Sequence, residues 1–213
     1  MSAIYISEEV ASVIDLYKEI NSALNVLHFL TVKAEVLHHG HQTKHPGAVI
    51  EITCWNPDLI GKPARQIFDT PFSEDDAKLT ISRIHGFLDW EEVINSNLYL
   101  NNRFELAVNN LLRGSINTLE HVLTESPEIV NLASNYPHHA TLLHYCASNG
   151  LETERQVVPD NLLEIVELII EKGADKKAKM KVYGGEHTPA ELAATSAHPF
   201  KAGIATQLID KLK

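Results

Sequence analysis

The sequence predicts an all-α protein in two parts: an N-terminal helical region over about residues 1–100, then a short solenoid of about three helix pairs over 101–213. Three observations carry this. Apolar residues recur at intervals of three and four through most of the chain, a Thr-x-x-x-x-x-Ala string occurs at Thr141 and again at Thr188, and glycines close helical stretches at 114, 150 and 173.

Composition bounds the rest. With 213 residues and 44% apolar side chains the chain can bury a real core. Acidic residues outnumber lysine and arginine by 28 to 18, so the net charge of -10 repels a phosphate backbone. The one basic run, Lys172, Lys176, Lys177, Lys179 and Lys181, has only Tyr183 nearby for base stacking, and nucleic acid is not an expected partner. Cys54 and Cys146 are far apart in unlike contexts, which fits free thiols and a cytoplasmic address. No basic-then-apolar leader and no apolar run of 18 residues occurs, so neither a signal peptide nor a membrane span is expected.

In the N-terminal region, Val10, Val13, Ile14, Tyr17, Ile20, Leu24 and Leu27 follow a helical period from Ser7 to about His38, as one helix or two joined near Asn25. The pattern stops at His38-His39-Gly40. Between 40 and 71, six glycines and prolines (Pro46, Gly47, Pro57, Gly61, Pro63, Pro71) predict a loop-rich segment, with Ala48–Trp55 a short strand or extended piece. Ser73 caps a helix with Glu74, Asp75 and Asp76 in its first turn, Gly86 closes it, and Asp89 opens another. Ile81, Ile84, Phe87 and Trp90 should form a small hairpin core, with Val93 and Ile94 on the same face as Trp90.

The C-terminal half repeats itself. Thr141-Leu-Leu-His-Tyr-Cys-Ala-Ser-Asn-Gly150 fits the template Thr-Pro-Leu-His-x-Ala-Ala-x-x-Gly, and Thr188-Pro-Ala-Glu-Leu-Ala-Ala194 fits it again. Between them, Glu164-Ile-Val-Glu-Leu-Ile-Ile-Glu-Lys-Gly-Ala-Asp175 reads as a second helix and its closing turn. Threonine and histidine can close hydrogen bonds at the start of the first helix, small residues at Cys146, Ala147, Ala193 and Ala194 permit close helix approach, and Gly173 suits a left-handed reversal. Phe104 to Val122 makes a degenerate first unit ending its first helix at Gly114. An insertion of roughly eleven residues after Gly150, holding Arg155, Gln156 and Pro159, stretches the second unit beyond the usual period of about 33.

On these strings the chain resembles the ankyrin-repeat superfamily over roughly Arg103 to Lys213. It is similar in particular to a group of bacterial ankyrin-domain proteins, through Asp76-Ala-Lys-Leu-Thr-Ile-Ser-Arg-Ile-His-Gly-Phe-Leu-Asp-Trp90, Leu142 to Gly150, Arg155-Gln156, Tyr183-Gly-Gly185 and Thr195-Ser-Ala-His-Pro199. The resemblance implies protein binding through finger turns and a concave helix face, and names no particular partner.

The expected function is therefore a non-catalytic protein-binding module, an adaptor or scaffold, whose partner is another protein. Candidate contacts are Tyr136, His138 and His139 in one finger turn, Tyr183 and Glu186 in the next, and Arg155 and Gln156 in the insertion, since turns project from a packed core and tolerate unusual side chains. Arg155 could equally cap helix carbonyls. The alternative is a small-molecule or metal-dependent enzyme with a pocket between the N-terminal helices and the repeats, using His38, His39, His41 or His198. No cysteine or paired carboxylate completes the histidine run, so no metal or cofactor is assigned. His144 and Cys146 are two apart on a helix and point away from each other, which favours structural roles over a nucleophile and its base. A secreted effector would use the same binding surface.

Overall fold

The computed structural model describes residues 4–21 and 25–213. Among these the protein is mostly helical, 61% of it in thirteen helices with a few two- and three-residue strands. Two compact units divide the chain: one holds Glu8–Tyr99 together with Glu152–Glu154, the other Leu100–Leu151 and Arg155–Lys213 with the described residues up to Ser7. The three residues after Leu151 and the four before Glu8 thus belong to the opposite unit from the one their sequence position suggests. No helix among the described residues is long and apolar enough to cross a membrane.

The first unit contains α1 (Glu8–Tyr17), α2 (Val26–Gln42), α3 (Pro46–Trp55), α4 (Ala64–Asp69), α5 (Glu74–Ile84) and α6 (Trp90–Ser96). The expected pattern from Ser7 splits at Asn25, whose side chain accepts from the His28 amide at 2.8 Å and starts α2; Leu24 lies outside the described residues. The helix does not stop at Gly40. It runs to Gln42 because the missing side chain serves packing: a Cβ at Gly40 would lie 2.7 Å from Leu16 Cδ1 of α1.

The segment from 40 to 71 is corrected most. It carries α3 and α4, and Ala48–Trp55 is helix rather than strand. Two of its four prolines sit at helix starts, where no amide partner is lost: Pro46 opens α3 behind His45, which accepts from the Gly47 amide at 3.1 Å, and Pro63 precedes α4. Gly47 lets α3 close onto α1, since a Cβ there would meet the Ser12 carbonyl oxygen at 2.3 Å. Ser73 and Asp76 form a capping box on α5, and Asp89 accepts from the Glu92 amide at 2.9 Å to start α6, as their spacing predicts. Ile81, Ile84, Phe87 and Val93 are buried, whereas Ile94 is exposed and Trp90 half-buried.

In the second unit β1 (Ile4–Tyr5) pairs antiparallel with β2 (Val158–Pro159), so the insertion after Gly150 is held by the start of the chain. Helices α7 (Asn102–Leu112), α8 (Ile116–Glu125), α9 (Leu142–Ala147), α10 (Leu162–Glu171), α11 (Pro189–Thr195), α12 (Ala197–Lys201) and α13 (Ala205–Leu212) follow. Helix α9 packs against α7 and α11, while α10 packs against α8 and α13. The starts of α9 and α11 are fixed as the sequence requires. The Thr141 amide donates to His144 Nδ1 at 3.0 Å, and the Thr188 amide to the Glu191 carboxylate at 2.7 Å, so Glu191 does the work of the histidine it replaces. Gly173 has φ +95°, the left-handed reversal its position predicts. Cys146 and Ala147 are fully buried, and burial pushes the Cys146 thiol up, far from a nucleophile's range.

Candidate functional site

The finger turn before α11 is a hairpin. Strands β3 (Met180–Val182) and β4 (Gly185–His187) pair with Val182 opposite Gly185, leaving Tyr183-Gly184 as a two-residue turn with both φ positive, +54° and +74°. That geometry matches the twist of the flanking strands and favours glycine or asparagine; a tyrosine in its first position costs of order 1 kcal/mol. The compensation is visible. The Tyr183 hydroxyl donates to Asn149 Oδ1 at 2.9 Å, and the Asn149 amide donates to the Leu192 carbonyl and to Thr195 Oγ1, both at 3.0 Å. Asn149 thereby ties the hairpin tip to α11. The Tyr183 ring stays 65% exposed, on the edge of an open cavity of ≈ 680 Å³ floored by Leu192 and Ala194 and bordered by His187, Glu191 and Thr195. Glu186, opposite Lys181 on the hairpin, is also exposed. A strained, solvent-facing aromatic beside a partly apolar groove is a surface suited to contact.

The preceding finger turn differs from expectation. Tyr136 and His138 are not projecting contacts: they are 0% and 2% exposed. The turn is stapled to its neighbours, with the Ala140 amide donating to His138 Nδ1 at 3.0 Å and the Lys181 amide to the His138 carbonyl at 2.8 Å, while the Tyr136 and His138 rings lie 5.5 Å apart. His139, at φ +54°, remains exposed.

Arg155 and Gln156 are likewise absorbed by the fold. Arg155 Nη2 meets Glu105 Oε2 at 2.7 Å, with its guanidinium 5.6 Å over the Tyr145 ring, and Gln156 spans the Leu151 carbonyl at 2.9 Å and His198 Nε2 at 3.1 Å. Arg155 clamps the insertion to α7 and α9, and Gln156 ties it to α12. Replacing Arg155 by methionine should leave Glu105 buried without its cation and cost about 3 kcal/mol of stability in chemical denaturation, most of it recovered in the Arg155→Met/Glu105→Leu pair.

The histidines of the enzymatic alternative do not form a ligand set. His41 is buried, bonded to the Ile67 carbonyl at 2.9 Å beside Phe68 and Phe72, while His38 contacts Gln42 at 3.3 Å. Among the described residues no three histidine, cysteine or carboxylate groups are arranged to hold a metal ion.

Sequence reasoning missed a second constellation, in the first unit. Lys33, 1% exposed on α2, lies 2.6 Å from Glu154, 3.4 Å from His85 Nε2 and 4.4 Å over the Tyr17 ring. Glu152 stands 3.7 Å from the other nitrogen of His85. Glu51 of α3 is wholly buried, and neither carboxyl oxygen has a hydrogen bond of standard geometry, although Thr153 lies near enough to favour the charged form somewhat. Burial, and then the charge of Glu154, push the Glu51 carboxyl up to about 8. Burial together with Glu51 and Glu154 also pushes the Tyr17 hydroxyl up. One signal was available: Val26, Leu30, Lys33 and Leu37 share a helix face, so a lysine sat on the buried stripe.

Compared with protein-family models, with curated proteins and with solved structures, the chain finds no match in any of the three.

Proposed function

We propose that the chain is a non-catalytic, ankyrin-type protein-binding module, acting in the cytoplasm, whose contact surface is the Tyr183 hairpin and the groove it shares with α11. The stacking of α7, α9 and α11 in one row and of α8, α10 and α13 in another, with a threonine-led cap at α9 and α11, supports the repeat assignment. The observation that carries the functional reading is Tyr183 itself: an exposed ring in a left-handed turn, braced by Asn149 against the open groove. The partner is an extended stretch of polypeptide that lays an apolar side chain over Ala194 and packs its backbone beside Tyr183, a ring that offers contact area at little entropic cost.

The test is affinity capture from the native source with wild-type protein and the Tyr183→Ala/Glu186→Ala variant. The variant should retain about a tenth or less of the captured partner, ~1.4 kcal/mol of binding, with the melting temperature not lowered much. Equal capture by both proteins, or a matching loss of stability, overturns the assignment.

A further inference from the structure

The buried constellation of the first unit holds more carboxyl groups than basic ones. Three carboxyl groups, Glu51, Glu152 and Glu154, face one lysine and one histidine; even with both basic groups charged, one carboxyl is left over. Glu51 is the one sealed from water and without a standard hydrogen bond at either oxygen. The elements packed on α3 are α1, α2, α4 and α5, and α5 also carries the half-buried Arg83, whose Nε has no hydrogen bond among the described residues. Helix α1 presents Tyr17, α2 presents Lys33, and the residue closing α5 is His85. Arg65 and Asp69 of α4 pair with each other on the exposed surface, and the 152–154 segment brings two carboxyls and a threonine. Cys54, one turn along α3 itself, is exposed, and its thiol is pushed up by partial burial and then by the same Glu51.

We propose that this cluster is a proton-binding site, and that the Glu152–Glu154 segment stays seated in the first unit only while Glu51 carries the proton. With Glu51 neutral, Lys33 can serve Glu154 and His85 can serve Glu152. When Glu51 ionises, three negative groups lie together, with Glu51 and Glu152 sealed from water, and the cheapest relief is for the segment, held only by the single 3-10 turn Thr153–Arg155, to move its two carboxyls into water. The proton goes to solvent and no other species is consumed.

The direction follows from the shift. A carboxyl held up to about 8 in the folded unit, against 4.5 when exposed, binds more protons folded than unfolded across that interval, so the seated state weakens as pH rises from 4.5 to 8 and reaches its full penalty above 8.

The experiment is hydrogen exchange by mass spectrometry on the full chain from about pH 6 to about pH 9, corrected for intrinsic rates, comparing peptides across residues 151–157 with peptides from α10. In the wild-type protein, protection of the segment should fall about tenfold or more across the range while α10 holds; in Glu51→Gln it should stay high throughout. Wild-type protection that is flat with pH, or a fall of equal size in Glu51→Gln, overturns the proposal. The wild-type titration decides the matter even if the variant does not fold.

Discussion

Gly47→Ala is expected to destabilise the first unit by about 2 kcal/mol or more, a large effect for one methyl group. Two terms compete. Alanine gains at most about 1 kcal/mol over glycine in a helix, but its Cβ would sit 2.3 Å from the Ser12 carbonyl oxygen and 2.9 Å from the carbonyl carbon, and backbone cannot rotate out of the way. Helix α1 must move off α3, at about 3 kcal/mol by the cost of overpacking, so the clash wins. Gly40→Ala is the contrast. There the nearest atom is the tip of Leu16, a flexible side chain at 2.7 Å, and the helix gain in the last turn of α2 should bring the net change close to zero. Urea unfolding of both variants measures the difference; equal losses would mean that α1 yields easily.

The second large effect is acid sensitivity of the other unit through His144. Its surroundings fix a neutral ring: Nδ1 must accept from the Thr141 amide at 3.0 Å, and Nε2 must donate to the His187 carbonyl at 3.1 Å. Burial dominates and lowers the ring to about 4 from 6.5, with His138 adding to the shift and the His187 carbonyl opposing it. The unfolded chain therefore binds more protons between pH 6.5 and 4, and stability is lost as pH falls through that window, by about 3 kcal/mol in all. His144→Gln, which can still accept and donate, should flatten the curve. A wild-type stability independent of pH between 6.5 and 4 would show the ring to be protonated in place. The two units thus respond in opposite senses, one weakened by acid through His144, the other by base through Glu51.

Much of the helical plan was legible because it depends on neighbours in sequence. Ser73, Asp89, Thr141 and Thr188 all start helices where their spacing to Asp76, Glu92, His144 and Glu191 says they should, since a cap needs only the next three residues. The prolines of 46 to 63 misled because the same residue that breaks a helix interior is welcome at its first turn, and local sequence alone did not say which role applied. The contact residues were harder. Tyr136 and His138 occupy a turn, but whether a turn projects depends on what folds back onto it, here the Lys181 amide from more than forty residues away. Tyr183 stays exposed because Asn149 holds it from the side rather than from above. Of the Lys33 cluster only the lysine itself was marked in the sequence: its partners Glu152 and Glu154 lie over a hundred residues away, in an insertion that periodicity describes only as extra length.

Glu152–Glu154 complete a unit whose other residues end at Tyr99, and β1, at the very start, pairs with residues 158 and 159. On a ribosome adding about 5–20 residues per second, the helices around Lys33 and Glu51 emerge several seconds before their acidic partners are translated. Nascent chains must wait through that interval with Lys33 in the core and only Glu51 near it to answer its charge, so the final consolidation of these helices is deferred until residues 152 to 154 have left the tunnel.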